Sequence, residues 1–84
     1  MKTVVLYTRE GCCLCDDARK ILLRAHARRP SAFMLEERDI ESDDALLRTY
    51  LERIPVVAID GIVSFELVVN EAELDRRLGI VQSG

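Results

Sequence analysis

The chain has 84 residues, with 12 Lys and Arg against 15 Asp and Glu, for a net charge of −3. That length suits one small domain with no second domain or lid, so any partner must dock on its surface. The acidic balance and a supply of only 2 Phe and 2 Tyr exclude a general nucleic-acid binder, which needs basic excess and stacking surfaces.

An apolar fraction of 49% with 32% charged residues is ordinary for a globular chain. No apolar run approaches the roughly 18 residues of a membrane span, and Lys2 precedes only a short apolar stretch, so neither a span nor a signal peptide is expected. Cys12, Cys13 and Cys15 crowd together and cannot staple distant segments. A reducing, cytoplasmic setting is therefore expected rather than a secreted disulfide scaffold.

In chain order, Val4-Val5-Leu6-Tyr7 suits a buried strand, and Gly11 allows a sharp turn out of it. Leu14, Ala18, Ile21, Leu22 and Ala25 then recur at helical spacing, predicting a helix from about Cys13 to Arg28 with Asp16 and Lys20 as an i,i+4 pair. Arg24, Arg28 and Arg29 complement the carboxyl-terminal dipole of that helix, a simpler reading than a phosphate site. His26 has no second ligand near it in sequence and reads as a solvated helix residue. Pro30 and Ser31 break the helix.

Phe33 to Arg38 is read as a second strand. Ser42 or Asp43 can cap a second helix whose stripe of Leu46, Leu47, Tyr50 and Leu51 is expected in the core. Ile54-Pro55 ends it, and Val56 to Ile59 is the continuous apolar run of a strand covered on both faces. Asp60-Gly61 signals a hairpin, after which Val63, Phe65, Leu67 and Val69 alternate with Ser64 and Glu66 as an antiparallel strand with one buried face. Asn70 and Glu73 resemble a capping box for a last helix that buries Ala72, Leu74 and Leu78 and ends at Gly79. Residues 80–84 are expected to fray. The order β-α-β-α-β-β-α can close into a single α/β domain over residues 1–84, a four-stranded mixed sheet with helices on both faces. In that arrangement the end of the first strand and the loop before Pro55 can lie side by side.

Cys12 then falls at or just before the first helical turn, where free amide hydrogens and the helix dipole favour negative charge on sulfur. The thiolate is the nucleophilic form of cysteine. Asp16 and Asp17 in that turn oppose this effect. Cys12 and Cys15 stand i and i+3, on one helix face and within reach of disulfide distance.

Val5-Leu6-Tyr7-Thr8-Arg9-Glu10-Gly11-Cys12-Cys13-Leu14-Cys15, with Ile54-Pro55-Val56 and Ile59-Asp60-Gly61, resembles a glutaredoxin with the thioredoxin fold. The likeness is to the short bacterial glutaredoxin-like proteins whose motif reads Gly-Cys-x-Leu-Cys followed by acidic residues, and it spans nearly the whole chain. The resemblance implies that Cys12 is the nucleophile, Cys15 the resolving thiol and Pro55 a cis-proline that leaves the Ile54 backbone free for an extended substrate. Arg9 corresponds to a basic residue near the nucleophile, able to support the thiolate or meet a substrate carboxylate. Cys13 replaces the family's usual Pro, either as a small filler or as a third redox thiol able to accept glutathione or bridge two chains. Glutathione-dependent relatives carry a Gly-Gly and an Asp at the start of the last helix. Here Val69-Asn70-Glu71 stands there, so glutathione is a candidate co-substrate against which this departure weighs, and Arg53 is the remaining candidate contact for it.

The leading expectation is a thiol-disulfide oxidoreductase acting on protein or small-molecule disulfides, a monomer with no tightly bound cofactor or metal, no nucleic acid and no membrane partner. The alternatives are a metal or iron–sulfur carrier using Cys12, Cys13 and Cys15 across two chains, and a redox-inert binding module that docks partners on the Pro55 surface.

Overall fold

Val4, Leu6 and Thr8 alternate with Val5 and Tyr7, so the strand they form has one fully buried face and one half-buried face. In the computed structural model, which describes residues 2–80, this is β1 (Lys2–Thr8). β1 lies inside a four-stranded sheet of order β2-β1-β3-β4. β2 (Phe33–Asp39) runs parallel to it, from Lys2 opposite Phe33 to Thr8 opposite Asp39. β3 (Val56–Ile59) runs antiparallel on the other side, and β4 (Ile62–Glu66) is antiparallel to β3. Three helices complete the described residues: α1 (Cys13–Arg28), α2 (Asp44–Tyr50) and α3 (Glu71–Leu78), with a single 3-10 turn at Ile40–Ser42. The element order and mixed sheet are those expected from the periodicities. No helix among the described residues is long and apolar enough to cross a membrane.

Register decides which side chains meet. Leu6 faces Val57 and Val4 faces Ile59, and on that side of the sheet Ala18, Leu22 and Leu74 of α1 and α3 close the core. Tyr7 faces Val56 and points to the opposite side, where the ring of Tyr50 stacks on it at 4.8 Å. Both faces of β3 are covered, and all four of its residues are buried. The hairpin follows from Asp60 and Gly61, at φ 51 and 82, the two positive values that a type I′ turn requires and that glycine adopts without steric cost. Asp60 also binds back to β1, its N–H donating to the Thr3 carbonyl at 2.8 Å and its carboxylate accepting the Thr3 N–H at 2.9 Å.

Several expectations are corrected. The α2 stripe is not core, because α2 is two turns long and meets the sheet through the Tyr50 ring; none of its residues is buried, and Leu51 lies beyond its end, exposed. Of the two expected caps Asp43 serves, accepting the Ala45 N–H at 2.8 Å. β4 stops at Glu66: it is an edge strand, Ile62 and Val63 are exposed, and Leu67 turns away with φ 68. Asp16 pairs with Arg19 at 2.7 Å instead of Lys20, and His26 is half-buried, its ring edge-on to Phe33 at 5.2 Å.

The carboxyl-terminal arginines of α1 dock α3. Arg24 reaches Glu71 at 3.1 Å, Arg28 reaches Asp75 at 2.5 Å, and Arg29 donates to the Gly79 carbonyl at 3.2 Å. Asp75, only 2% exposed, takes the buried place expected of Ala72, which is exposed. Asn70 caps α3 by accepting the Glu73 N–H at 3.0 Å, while the Glu73 carboxylate turns to Arg76 and Arg77. Ile80, expected to fray, is buried and donates its N–H to Asp75 at 2.8 Å; residues 81–84 lie outside the described residues.

The two helix stripes therefore differ in weight. Leu22→Ala, at a fully buried position, is expected to cost about 3 kcal/mol in urea unfolding. Leu47→Ala, at a half-buried one, is expected to cost less than about 1 kcal/mol. Equal costs would restore α2 to the core.

Candidate active site

The site is built where β1 ends. Gly11 turns the chain at φ 82, a value that favours glycine, and the Cys12 N–H closes the turn on the Arg9 carbonyl at 3.3 Å. Cys12 is the N-cap of α1, with extended backbone, and its Sγ accepts the Cys15 N–H at 3.2 Å. Sulfur thus fills the place that a Ser or Asp oxygen takes at other helix starts, with the positive end of α1 behind it. Cys12 is half-exposed, Cys13 exposed and Cys15 fully buried, and all three are free thiols. The Cys12 sulfur is therefore the accessible one of the two thiols spaced i and i+3.

The loop opposite carries a cis Ile54–Pro55 bond. It is anchored by the Leu67 N–H, which donates to the carbonyls of Arg53 at 3.1 Å and Pro55 at 2.9 Å. Between loop and helix start lies a shallow groove of about 420 Å³ lined by Arg9, Glu10, Gly11, Cys12, Glu41 and Ile54. The fold thus gathers Arg9, Cys12 and Ile54, with Pro55 buried beside Ile54. Arg53 is not part of the groove; it is exposed, borders a separate hollow with Leu47 and Glu52, and stands 3.9 Å from Glu66.

Two expected contacts change. The Ile54 N–H is not free, since it donates to the Tyr50 carbonyl at 3.1 Å as the turns after α2 close. Among the described residues the Ile54 carbonyl accepts no hydrogen bond. Arg9 is engaged as well, its guanidinium held by Glu41 at 2.7 Å inside the same groove.

A family model, the Glutaredoxin-like domain (DUF836), matches residues 3–79. The chain belongs to this glutaredoxin-like family. Its fold is also that of solved relatives. The protein XcR50 from X. campestris is 26% identical with a TM-score of 0.73, the match covering 94% of this chain and 99% of the other. A variant of the thioredoxin-like protein BC3987 is 24% identical with a TM-score of 0.67, covering 96% and 100%. Oxidised thioredoxin from Plasmodium falciparum is 12% identical with a TM-score of 0.63, covering 93% and 78%. No curated protein sequence matches this chain significantly.

The glutaredoxin-like chain is thus a member of a redox-type family, and its thiols are differentiated accordingly. Burial pushes the Cys15 thiol above the ordinary range, and its hydrogen bond to the Cys12 sulfur adds to that; the Thr8 hydroxyl and the Arg9 amide pull the other way. Among the described residues no group of three or more His, Cys, Asp or Glu is placed to hold a metal ion, and Cys13 is exposed while Cys15 is buried. Glu41 and Thr8 escaped the sequence reading. Glu41 reaches Arg9 across 32 positions, with no local signal. Thr8 was legible in principle, because it continues the buried alternation of Val4 and Leu6.

Because Cys15 stays protonated in the folded state to higher pH than in the unfolded chain, the unfolded state loses its proton first as pH rises. The stability this contributes is complete below about pH 8.5, the ordinary thiol value, and is lost above it. The urea midpoint of the reduced glutaredoxin-like chain is expected to fall with alkaline pH, and Cys15→Ala to fall less steeply. Parallel slopes for the two proteins would contradict the assignment.

Proposed function

We propose that the protein is a dithiol oxidoreductase that reduces the disulfides of protein or small-molecule substrates. The observation that carries this is the pairing of a half-exposed Cys12 sulfur, bound by the Cys15 amide at 3.2 Å, with a buried Cys15 thiol directly behind it. The Cys12 thiolate attacks one sulfur of the substrate disulfide, forming a mixed disulfide and expelling the other sulfur as a thiolate that takes a proton from solvent. Cys15 then loses its proton and attacks the Cys12 sulfur. The second substrate sulfur leaves, the substrate has gained two electrons, and the protein holds a Cys12–Cys15 disulfide that an external dithiol must reduce. The unpaired Ile54 carbonyl beside Cys12 suits an extended segment, which can donate a backbone N–H to it.

Glutathione fits this site less well than a polypeptide. Asn70 occupies the first-turn amide of α3 at 3.0 Å, and the Glu71 carboxylate sits in that turn, where a γ-glutamyl carboxylate would have to bind. Arg9 and Arg53 already face Glu41 and Glu66.

Dithiothreitol-driven reduction of insulin tests this. Cys12→Ser is expected to lower turnover by more than ~100-fold. Cys15→Ser is expected to accumulate a mixed disulfide visible by mass, and Cys13→Ser to stay within about threefold of the unsubstituted protein. Retained turnover in Cys12→Ser would refute the proposal, as would equal dependence on Cys13.

A further inference from the structure

The 3-10 turn that follows β2 is anchored at each of its ends and at its base. Ile40 is fully buried, the Asp39 carboxylate accepts the Glu41 N–H at 2.8 Å, and the Ser42 hydroxyl donates to the Asp39 carbonyl at 2.6 Å. Glu41 therefore leaves a fixed backbone and brings its carboxylate to the groove of Cys12, where it accepts the Arg9 Nε–H at 2.7 Å. Arg9 itself belongs to the turn whose carbonyl holds the Cys12 N–H. Both side chains are 45% exposed, so the pair contributes little to stability. Its weight lies in the charge it leaves behind. The groove has a single cation, Arg9, against two carboxylates, Glu10 and Glu41, and Glu10 makes no ion pair among the described residues. The adjoining hollow shares Arg9 and Glu10, and its other cation, Arg19, is held by Asp16 and Glu37.

We propose that Glu41 selects substrates by charge: by neutralising Arg9 it leaves Glu10 uncompensated, so that Cys12 receives disulfides flanked by cationic groups, such as Lys or Arg side chains, ahead of disulfides flanked by carboxylates. This rests on the dithiol function proposed above and names the substrate class of that same groove. Fixed charges in a cleft raise the local concentration of ligands of opposite sign and exclude those of like sign. An unengaged guanidinium at this position would do the reverse, because its planar fork binds a carboxylate through two parallel N–H bonds. Glu41 occupies the Nε edge of that fork. The only hydrogen bond to the Cys12 sulfur is that of the Cys15 amide, so Glu41 acts through Arg9 and through its own field, as a positioning and specificity-determining residue.

The test compares small symmetric disulfides of similar length and different charge: cystamine, a dication; 3,3′-dithiodipropionate, a dianion; and neutral bis(2-hydroxyethyl) disulfide. In a Cys13→Ala, Cys15→Ser background the Cys12 sulfur bonds to one substrate sulfur, the other leaves as a thiol, and the adduct stays on the protein, where acid quenching and intact mass read its rate of formation. The ratio of the cystamine rate to the dithiodipropionate rate cancels any change in the thiolate fraction of Cys12, which acts on both alike. Glu41→Gln is expected to lower this ratio roughly tenfold at low ionic strength, and the change is expected to shrink in about 1 M salt, where the screening length is about 3 Å. Arg9→Gln is expected to raise the ratio. Glu36→Gln removes the same charge from an exposed ion pair outside the groove and is expected to leave the ratio within about twofold. A ratio unmoved by Glu41→Gln, moved as far by Glu36→Gln, or shifted in the same direction by Arg9→Gln overturns the role of Glu41 while leaving the dithiol function standing. Failure of Cys12 to form an adduct with any of these disulfides overturns both.

Discussion

One backbone amide, that of Cys15, donates to the Cys12 sulfur at 3.2 Å and fixes how the two thiols stand to each other. That bond exists only because α1 starts at Cys13, which in turn depends on Gly11 turning the chain immediately beyond β1. The same helix start that is capped by the Cys12 sulfur sends Cys15 inward, onto the buried face with Ala18 and Leu22. Exposure of one sulfur and burial of the other therefore come from a single geometric cause. In the proposed reaction the first is the nucleophile and the second the thiol that reacts after the first is occupied.

Electrostatics around this pair is self-contained. Arg9 is held by Glu41, Arg19 by Asp16 and Glu37, Arg24 by Glu71, and Arg28 by Asp75. Most of these pairs are exposed and contribute little to stability individually, but they decide what a small anion meets on approach. Arg9 and Arg53 already face Glu41 and Glu66, and the start of α3 is capped by its own Asn70. In the proposed function, main-chain recognition at Ile54 favours an extended polypeptide over a compact charged thiol.

Much of this was legible in the sequence, for identifiable reasons. Period-two and helical spacing located the strands and helices because their buried faces are continuous, as in β3, where Val56 to Ile59 are buried throughout. The α2 stripe misled because spacing reports that leucines share a face, not that another element covers it. β4 misled for a related reason: alternation in an edge strand looks the same whether or not a helix packs on it. Asp75 was hidden by its charge, although Arg24 and Arg28 one turn apart on α1 needed anionic partners somewhere. At the site, the cysteine spacing and Pro55 were visible, whereas the Ile54 amide bond to Tyr50 and the Arg9–Glu41 pair arise from turns that carry no periodic signal.

The most direct measurement is the intact mass of the Cys13→Ala protein before and after mild oxidation by diamide, with Cys12 and Cys15 as the thiols that remain. A monomer lighter by about 2 Da, the two hydrogens lost when one disulfide forms, is the expected product, and dithiothreitol should reverse it. An unchanged monomer mass, or conversion to a covalent dimer in its place, would contradict the pairing of these two sulfurs on which the function rests.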